Sequence, residues 1–241
     1  MTTALAGNQG RPRLLPVAAL GVVALVTGAL GVWQVKRLAW KEALIARTTA
    51  ALHAPPVALV SLPRPDARPA EYRRVAASGR FLPATTTLVT AASELGNGYW
   101  DMVVLDGAAG PLWVNRGFVP MGSKPAAIAA ATPTGAVSLA GLVRVNEPKG
   151  SFLRANHPDL SRWYSRDLAA MNASAHAAAR TDIFIDAESE TPAPKPGLAT
   201  TPTPGLTVIS FPNNHLGYAI TWFTLCLLSL GAAFWLPRQR D

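Results

Sequence analysis

The chain has 241 residues, 49% of them hydrophobic and 15% charged, with a formal net charge of +8. Soluble domains usually carry about a quarter charged residues, so this composition argues against a wholly soluble protein and for a membrane one. The basic excess is spread thinly, without a Lys/Arg block or interleaved aromatics, which speaks against a nucleic-acid partner and for anionic lipid headgroups. The single cysteine, Cys226, excludes an internal disulfide, a CxxC zinc site and a CxxCH haem attachment.

Residues 1–13 form a short tail carrying Arg11 and Arg13. Residues 14–35 contain no charge. A run of about 20 residues, at about 1.5 Å each, spans the roughly 30 Å hydrocarbon core. The run outlasts a signal-peptide h-region and no small-x-small site closes it, so it is read as a transmembrane helix. Trp33 stands at the interface as an aromatic-belt residue, and Lys36 and Arg37 can reach headgroups. Residues 36–54 continue the helical spacing as a juxtamembrane helix until "HAPP" stops it. Residues 55–70 are a proline-rich linker.

The texture then changes. "YRRVAASGRF", "TTTLVTAA", "GYWDMVVLD", "GPLWVNRGFVP" and "AVSLAGLVRV" are short, rich in Val, Thr and aromatics, and bounded by Gly, Pro, Asn and Asp. These are strand signals, and the Asp-Gly and Gly-Pro pairs in "VVLDGAAGPLWV" predict a tight hairpin. "DLAAMNASAHAAA" predicts a short helix with Asp167 near its start, and "TDIFIDA" one more strand. Residues 71–190 therefore form a β-rich domain, and residues 191–212 a Pro/Thr-rich linker. A second charge-free run predicts a transmembrane helix over 213–236, and residues 237–241 are a C-terminal tail. The fold class is a membrane α+β protein, two transmembrane helices flanking a β-rich domain. Basic residues flank both ends of the first helix, so charge alone leaves the orientation open, with both termini on one side.

The domain carries no GxSxG, P-loop, GxGxxG or HExxH motif, and no enzyme is expected. His53, His157 and His176 are isolated and read as surface or cap residues. Arg116, within Asn115-Arg116-Gly117, is expected on the solvent face of a strand before a glycine bulge, with anion binding as the other reading. His215 sits behind Asn213 and Asn214 at the mouth of the second helix. One reading makes it a cap that bonds headgroups. Another makes it an axial haem ligand, with Tyr218, Trp222 and Phe223 lining an apolar slot. The sequence leaves both open.

Four segments in order resemble the surfeit locus protein 1 (Shy) family. "GVWQVKRLAWKEALI" is similar to its Trp-Gln-x-x-Arg-x-x-Trp-Lys signature, which includes Trp33, Gln34, Arg37 and Trp40. "EYRRVAASGRF" matches its Glu-Tyr-Arg strand, "GYWDMVVLD…GPLWVNRGFVP" its Val-Asn-Arg-Gly hairpin, and "NNHLGYAITWF" its entry into the second helix. Phe118 stands where the family usually has Trp, and Asp101 interrupts a strand that is usually less charged.

The resemblance implies an assembly factor for haem–copper cytochrome c oxidase, in the inner mitochondrial or bacterial cytoplasmic membrane. Both termini would face the matrix or cytoplasm and the domain the intermembrane space or periplasm. The short tail before Leu14 favours a bacterium. The implied cofactor is haem a, held transiently, with His215 as the iron's axial ligand. Tyr218, Trp222 and Arg37 would be further contacts, Arg37 toward a propionate. Trp33, Gln34, Trp40, Asn115, Arg116 and Gly117 would face partners or serve structure. The implied partners are the oxidase catalytic subunit, the haem a synthesis machinery and membrane lipids. A cofactor-free scaffold that holds the nascent oxidase subunit is the alternative.

Overall fold

A computed structural model describes residues 14–62, 70–151, 154–195, 200–206 and 211–238. The chain divides into two compact units: Met1–Arg47 with Ser210–Asp241, and Thr48–Ile209. The predicted N-terminal tail, and parts of both linkers and the C-terminal tail, lie outside the described residues.

The first unit is a pair of helices. Helix α1, Leu14–His53, runs unbroken for 40 residues, about 60 Å at 1.5 Å per residue. It ends just before Ala54 and Pro55, where the proline ring denies the next turn its geometry. Helix α4, His215–Trp235, is the C-terminal partner. Both are long and apolar enough to cross a membrane. They meet along a seam of small residues. Ala24, Thr27, Gly31 and Gln34, spaced three and four apart, are the buried residues of α1. Ala219 is buried on α4. A Cβ on Gly31 would lie 2.7 Å from the Phe223 ring, and one on Gly28 would lie 3.4 Å from Cys226 Sγ. The glycines and alanine let the two backbones approach closely along this seam. The Thr27 hydroxyl donates to the Val23 carbonyl within its own helix, at 2.8 Å, so it needs no partner across the seam.

The second unit is a barrel. Its strands are β1 Val57–Ala58, β2 Arg74–Ser93, β3 Gly96–Gly107, β4 Leu112–Pro120, β5 Ala136–Val145 and β6 Ile183–Thr191. The order is β1-β2-β3-β4-β6-β5, and β2 also pairs with β5. Strands β2 to β6 thus close on themselves, with only β4–β6 parallel within the ring. This is a five-stranded Greek-key closure of the kind seen in OB folds. Helix α2, Pro125–Ala131, joins β4 to β5, and α3, Leu168–Ala175, precedes β6.

Alternation fixes which face is which. Val103 and Leu105, Leu112 and Val114, Val137 and Leu139, and Ile183 and Ile185 fill the interior together with Val75 and Phe81. The opposite faces of β3, β4 and β6 present Met102, Val104, Trp113 and Phe184, which Leu168 and Met171 of α3 cover. The Trp113 indole N–H donates to Asn172 Oδ1 at 2.8 Å, so the largest buried ring has its polar atom satisfied. Asp167 caps α3 by accepting from the Ala170 amide.

Two features depart from the sequence reading. "YRRVAASGRF" and "TTTLVTAA" lie in one strand of 20 residues, not two. The register to β3 shifts between Leu82 and Thr87, so Pro83 sits where the ladder needs no donor. The first half of β2 pairs with β5 and the second with β3 alone, and one long bent strand closes the ring. The C-terminal linker also docks on the barrel. Thr203 exchanges both backbone hydrogen bonds with Phe118, each 2.9 Å, and the Gly205 amide donates to the Ala187 carbonyl.

Candidate functional site

The polar positions of interest fall in two places, one in each unit. The first is the Asn115-Arg116-Gly117 segment. Met102 pairs with Asn115 and Trp100 with Phe118, so Arg116 and Gly117 together oppose Asp101: a bulge. Gly117 takes φ +128°, and a Cβ there would lie 2.1 Å from the Thr203 carbonyl oxygen. Only glycine permits both that backbone and the docked linker. Asn115 Oδ1 accepts the Gly117 amide at 3.1 Å, while its Nδ2 donates to Asp186 at 2.9 Å, fixing the bulge to β6.

Arg116 faces inward, on the side of Leu112, Val114 and Phe81, which corrects the expectation of a solvent-facing arginine. Its side chain is only 2% exposed. It donates to Glu190 through Nε at 3.1 Å and Nη2 at 2.5 Å, to Thr132 Oγ1 at 3.0 Å and to Asp101 Oδ2 at 3.4 Å. The guanidinium also lies 4.8 Å from the centre of the Phe81 ring. Asp101 is fully buried, and its Oδ1 has no hydrogen-bond partner among the described residues. Burial pushes its carboxyl up to about 6; Arg116 opposes that rise and the Glu190 charge adds to it. Asp101 is therefore the answering half of a buried pair across two strands, and the charge that interrupts its apolar strand has a partner.

A linkage follows. The folded carboxyl titrates above the ordinary value of 3.8, so the fold favours its neutral form. The stabilisation is complete in acid below that value and is lost as pH rises through about 6. At about 1.4 kcal/mol per pH unit this amounts to about 3 kcal/mol. Asp101→Asn is expected to remove that slope between about pH 4 and pH 6 and to raise the melting temperature at about pH 8. A thermal-unfolding series across pH on both proteins checks it.

The second place is the mouth of α4. His215 is its first residue. Asn214, at the N-cap, makes no side-chain capping bond, and Asn213 Oδ1 accepts the His215 amide only at 3.5 Å. The imidazole turns instead to α1: Nδ1 lies 2.7 Å from Gln34 Oε1, joining residues 181 apart in sequence. Gln34 is buried, and His215 is half-buried. Trp222, seven residues on along the same face, is half-buried too. Tyr218 is 56% exposed, and Trp33 and Trp40 are 54% and 48% exposed. Arg37 is exposed one turn beyond Gln34, its guanidinium 3.9 Å over the Trp40 ring. The fold thus brings His215 and Gln34 into contact, stacks Arg37 on Trp40, and leaves Tyr218 and Trp33 facing outward. His53, His157 and His176 are all exposed. Among the described residues, no group of three or more His, Cys, Asp or Glu side chains could hold a metal ion.

The SURF1 family model matches residues 21–227, which takes in most of α1, the whole barrel and the first part of α4. The chain belongs to the SURF1 family. A SURF1-like protein of Monosiga brevicollis is 35% identical over 235 residues, covering 92% of this chain and 87% of that one. Surfeit locus protein 1 of Mus musculus is 31% identical over 231 residues, 88% of this chain and 70% of the mouse protein. The human Surfeit locus protein 1 is also 31% identical, over 88% of this chain and 71% of its own. Both the His215–Gln34 contact and the Asn115–Gly117 bulge lie inside the stretch the SURF1 family model matches.

Proposed function

We propose that this SURF1-family chain is a membrane-anchored, non-enzymatic assembly factor for a haem–copper cytochrome c oxidase, assisting delivery or insertion of haem a into the catalytic subunit. The observation that carries the reading is His215: Nδ1 is engaged by Gln34, and Nε2 has no partner among the described residues. One imidazole cannot complete the four-ligand shell of a structural zinc ion. It suffices for an iron that arrives within a macrocycle and lacks only an axial ligand. The chemistry of the site therefore fits a haem, which would supply iron with that open position.

The chain's own residues do the rest. His215 holds and orients, and Trp222 offers an apolar wall on the same face. Arg37, free of any carboxylate partner among the described residues, offers a guanidinium to a propionate. Tyr218 and Trp33 present aromatic surface to cargo, lipid or partner. A single ligating side chain suits a carrier, which must release what it holds.

The two apolar helices support a membrane location, here the cytoplasmic membrane of a bacterium, with both termini cytoplasmic and the barrel periplasmic. The partners are the oxidase catalytic subunit and the haem a synthesis machinery. The experiment is a titration of the purified full chain, in detergent, with ferric haem a. His215→Ala is expected to weaken binding by about tenfold or more and to abolish the ligand-dependent shift of the Soret band. An unchanged Soret band would defeat axial ligation and leave a cofactor-free scaffold.

A further inference from the structure

We infer that Gln34 is the positioning residue for His215: its side-chain carbonyl holds the imidazole as the Nδ1–H tautomer and so keeps Nε2 the bare nitrogen. The inference rests on the reading of His215 as a ligand only for its use, not for its geometry. Gln34 Oε1 can only accept, so at 2.7 Å the proton of the shared bond belongs to His215 Nδ1. A neutral imidazole has one N–H, and the other nitrogen then carries its lone pair outward. Ligating histidines elsewhere are held in this way, the second nitrogen donating to a carbonyl or carboxylate that fixes tautomer and ring plane.

The placement of Gln34 serves that task. It lies on the buried stripe of α1 with Gly31 and Thr27, whereas its neighbours Trp33 and Val35 are exposed. An amide in an apolar seam costs free energy unless bonded, so its retention calls for a partner across the helix pair. His215 is that partner. The amide is also neutral. It accepts the Nδ1 proton and fixes the ring without placing a charge in the apolar seam.

The test is nitrogen NMR of labelled histidine in the full chain, in detergent at about pH 8, where an imidazole is neutral. The His215 signals are assigned by their loss in His215→Ala. The expected result is a pyrrole-like Nδ1 and a pyridine-like Nε2 in the parent. Gln34→Leu is expected to move the population toward Nε2–H, and Gln34→Glu, which keeps an acceptor, to retain the parent pattern. Haem a affinity should fall about tenfold to a hundredfold in Gln34→Leu and recover in Gln34→Glu. A protonated Nε2 in the parent, or a tautomer ratio unmoved by Gln34→Leu, overturns the inference whether or not haem binds. Failure of the ligand reading shows separately, as an unchanged Soret band in His215→Ala with the tautomer pattern intact.

Discussion

Arg116→Met is expected to cost the barrel about 3–5 kcal/mol, the cost of leaving buried charge uncompensated. The arginine is the cation that answers both Glu190 and Asp101, and all three side chains are 2% exposed or less. Methionine fills much of the volume, so the loss is electrostatic and not a cavity. Glu190 would lose both guanidinium bonds and Thr132 Oγ1 its donor. For a domain of this size the melting temperature should fall by about 10 °C. Adding Asp101→Asn and Glu190→Gln to the same variant should recover most of the loss, because neutral amides need no counter-charge. Thermal unfolding of the parent, the single and the triple variant decides it. A single variant that melts with the parent would mean that the cluster does not hold the barrel together.

The second large effect is in the helix pair. Gly31→Leu is expected to part α1 from α4 and break the Gln34–His215 bond. A Cβ at this position meets three atoms of the Phe223 ring between 2.7 and 2.9 Å. The ring is 37% exposed and could swing from a single methyl. The branched side chain of leucine needs the helices themselves to separate, an overpacking of about 1–3 kcal/mol. The chain's one cysteine offers a clean readout. Gly28→Cys would place a second thiol against Cys226, since a Cβ at Gly28 lies 3.4 Å from its Sγ, within reach of disulfide geometry. Mild oxidation should cross-link Gly28→Cys in the parent background and fail to do so when Gly31→Leu is added. Equal cross-linking in both would show that the seam tolerates the bulk.

Much of the barrel was legible because its strands alternate. Leu112, Val114 and Arg116 point one way and Trp113 and Asn115 the other, and hairpin signals mark β3–β4 without help from tertiary structure. Less legible was anything that depends on closure. The merging of two apparent strands into β2 follows from β5 and β3 sharing its length, which no local window contains. What compensates Arg116 inside the barrel is Glu190, 74 residues away. A signal for it did exist: two neighbouring apolar strands are each interrupted in mid-strand by a charge, of opposite sign, Asp101 and Arg116. Such interruptions read better as a buried pair than as two exceptions. In the same way, motif order singled out Gln34 and His215 separately, but only the pairing of the two helices gave them to each other.

The most direct measurement is a reduced-minus-oxidised spectrum of membranes from the host, with and without this chain. Loss of the haem a band with b-type bands retained, restored by the parent chain and not by His215→Ala, is the predicted result. A haem a band that persists unchanged without the chain would contradict an oxidase-assembly role.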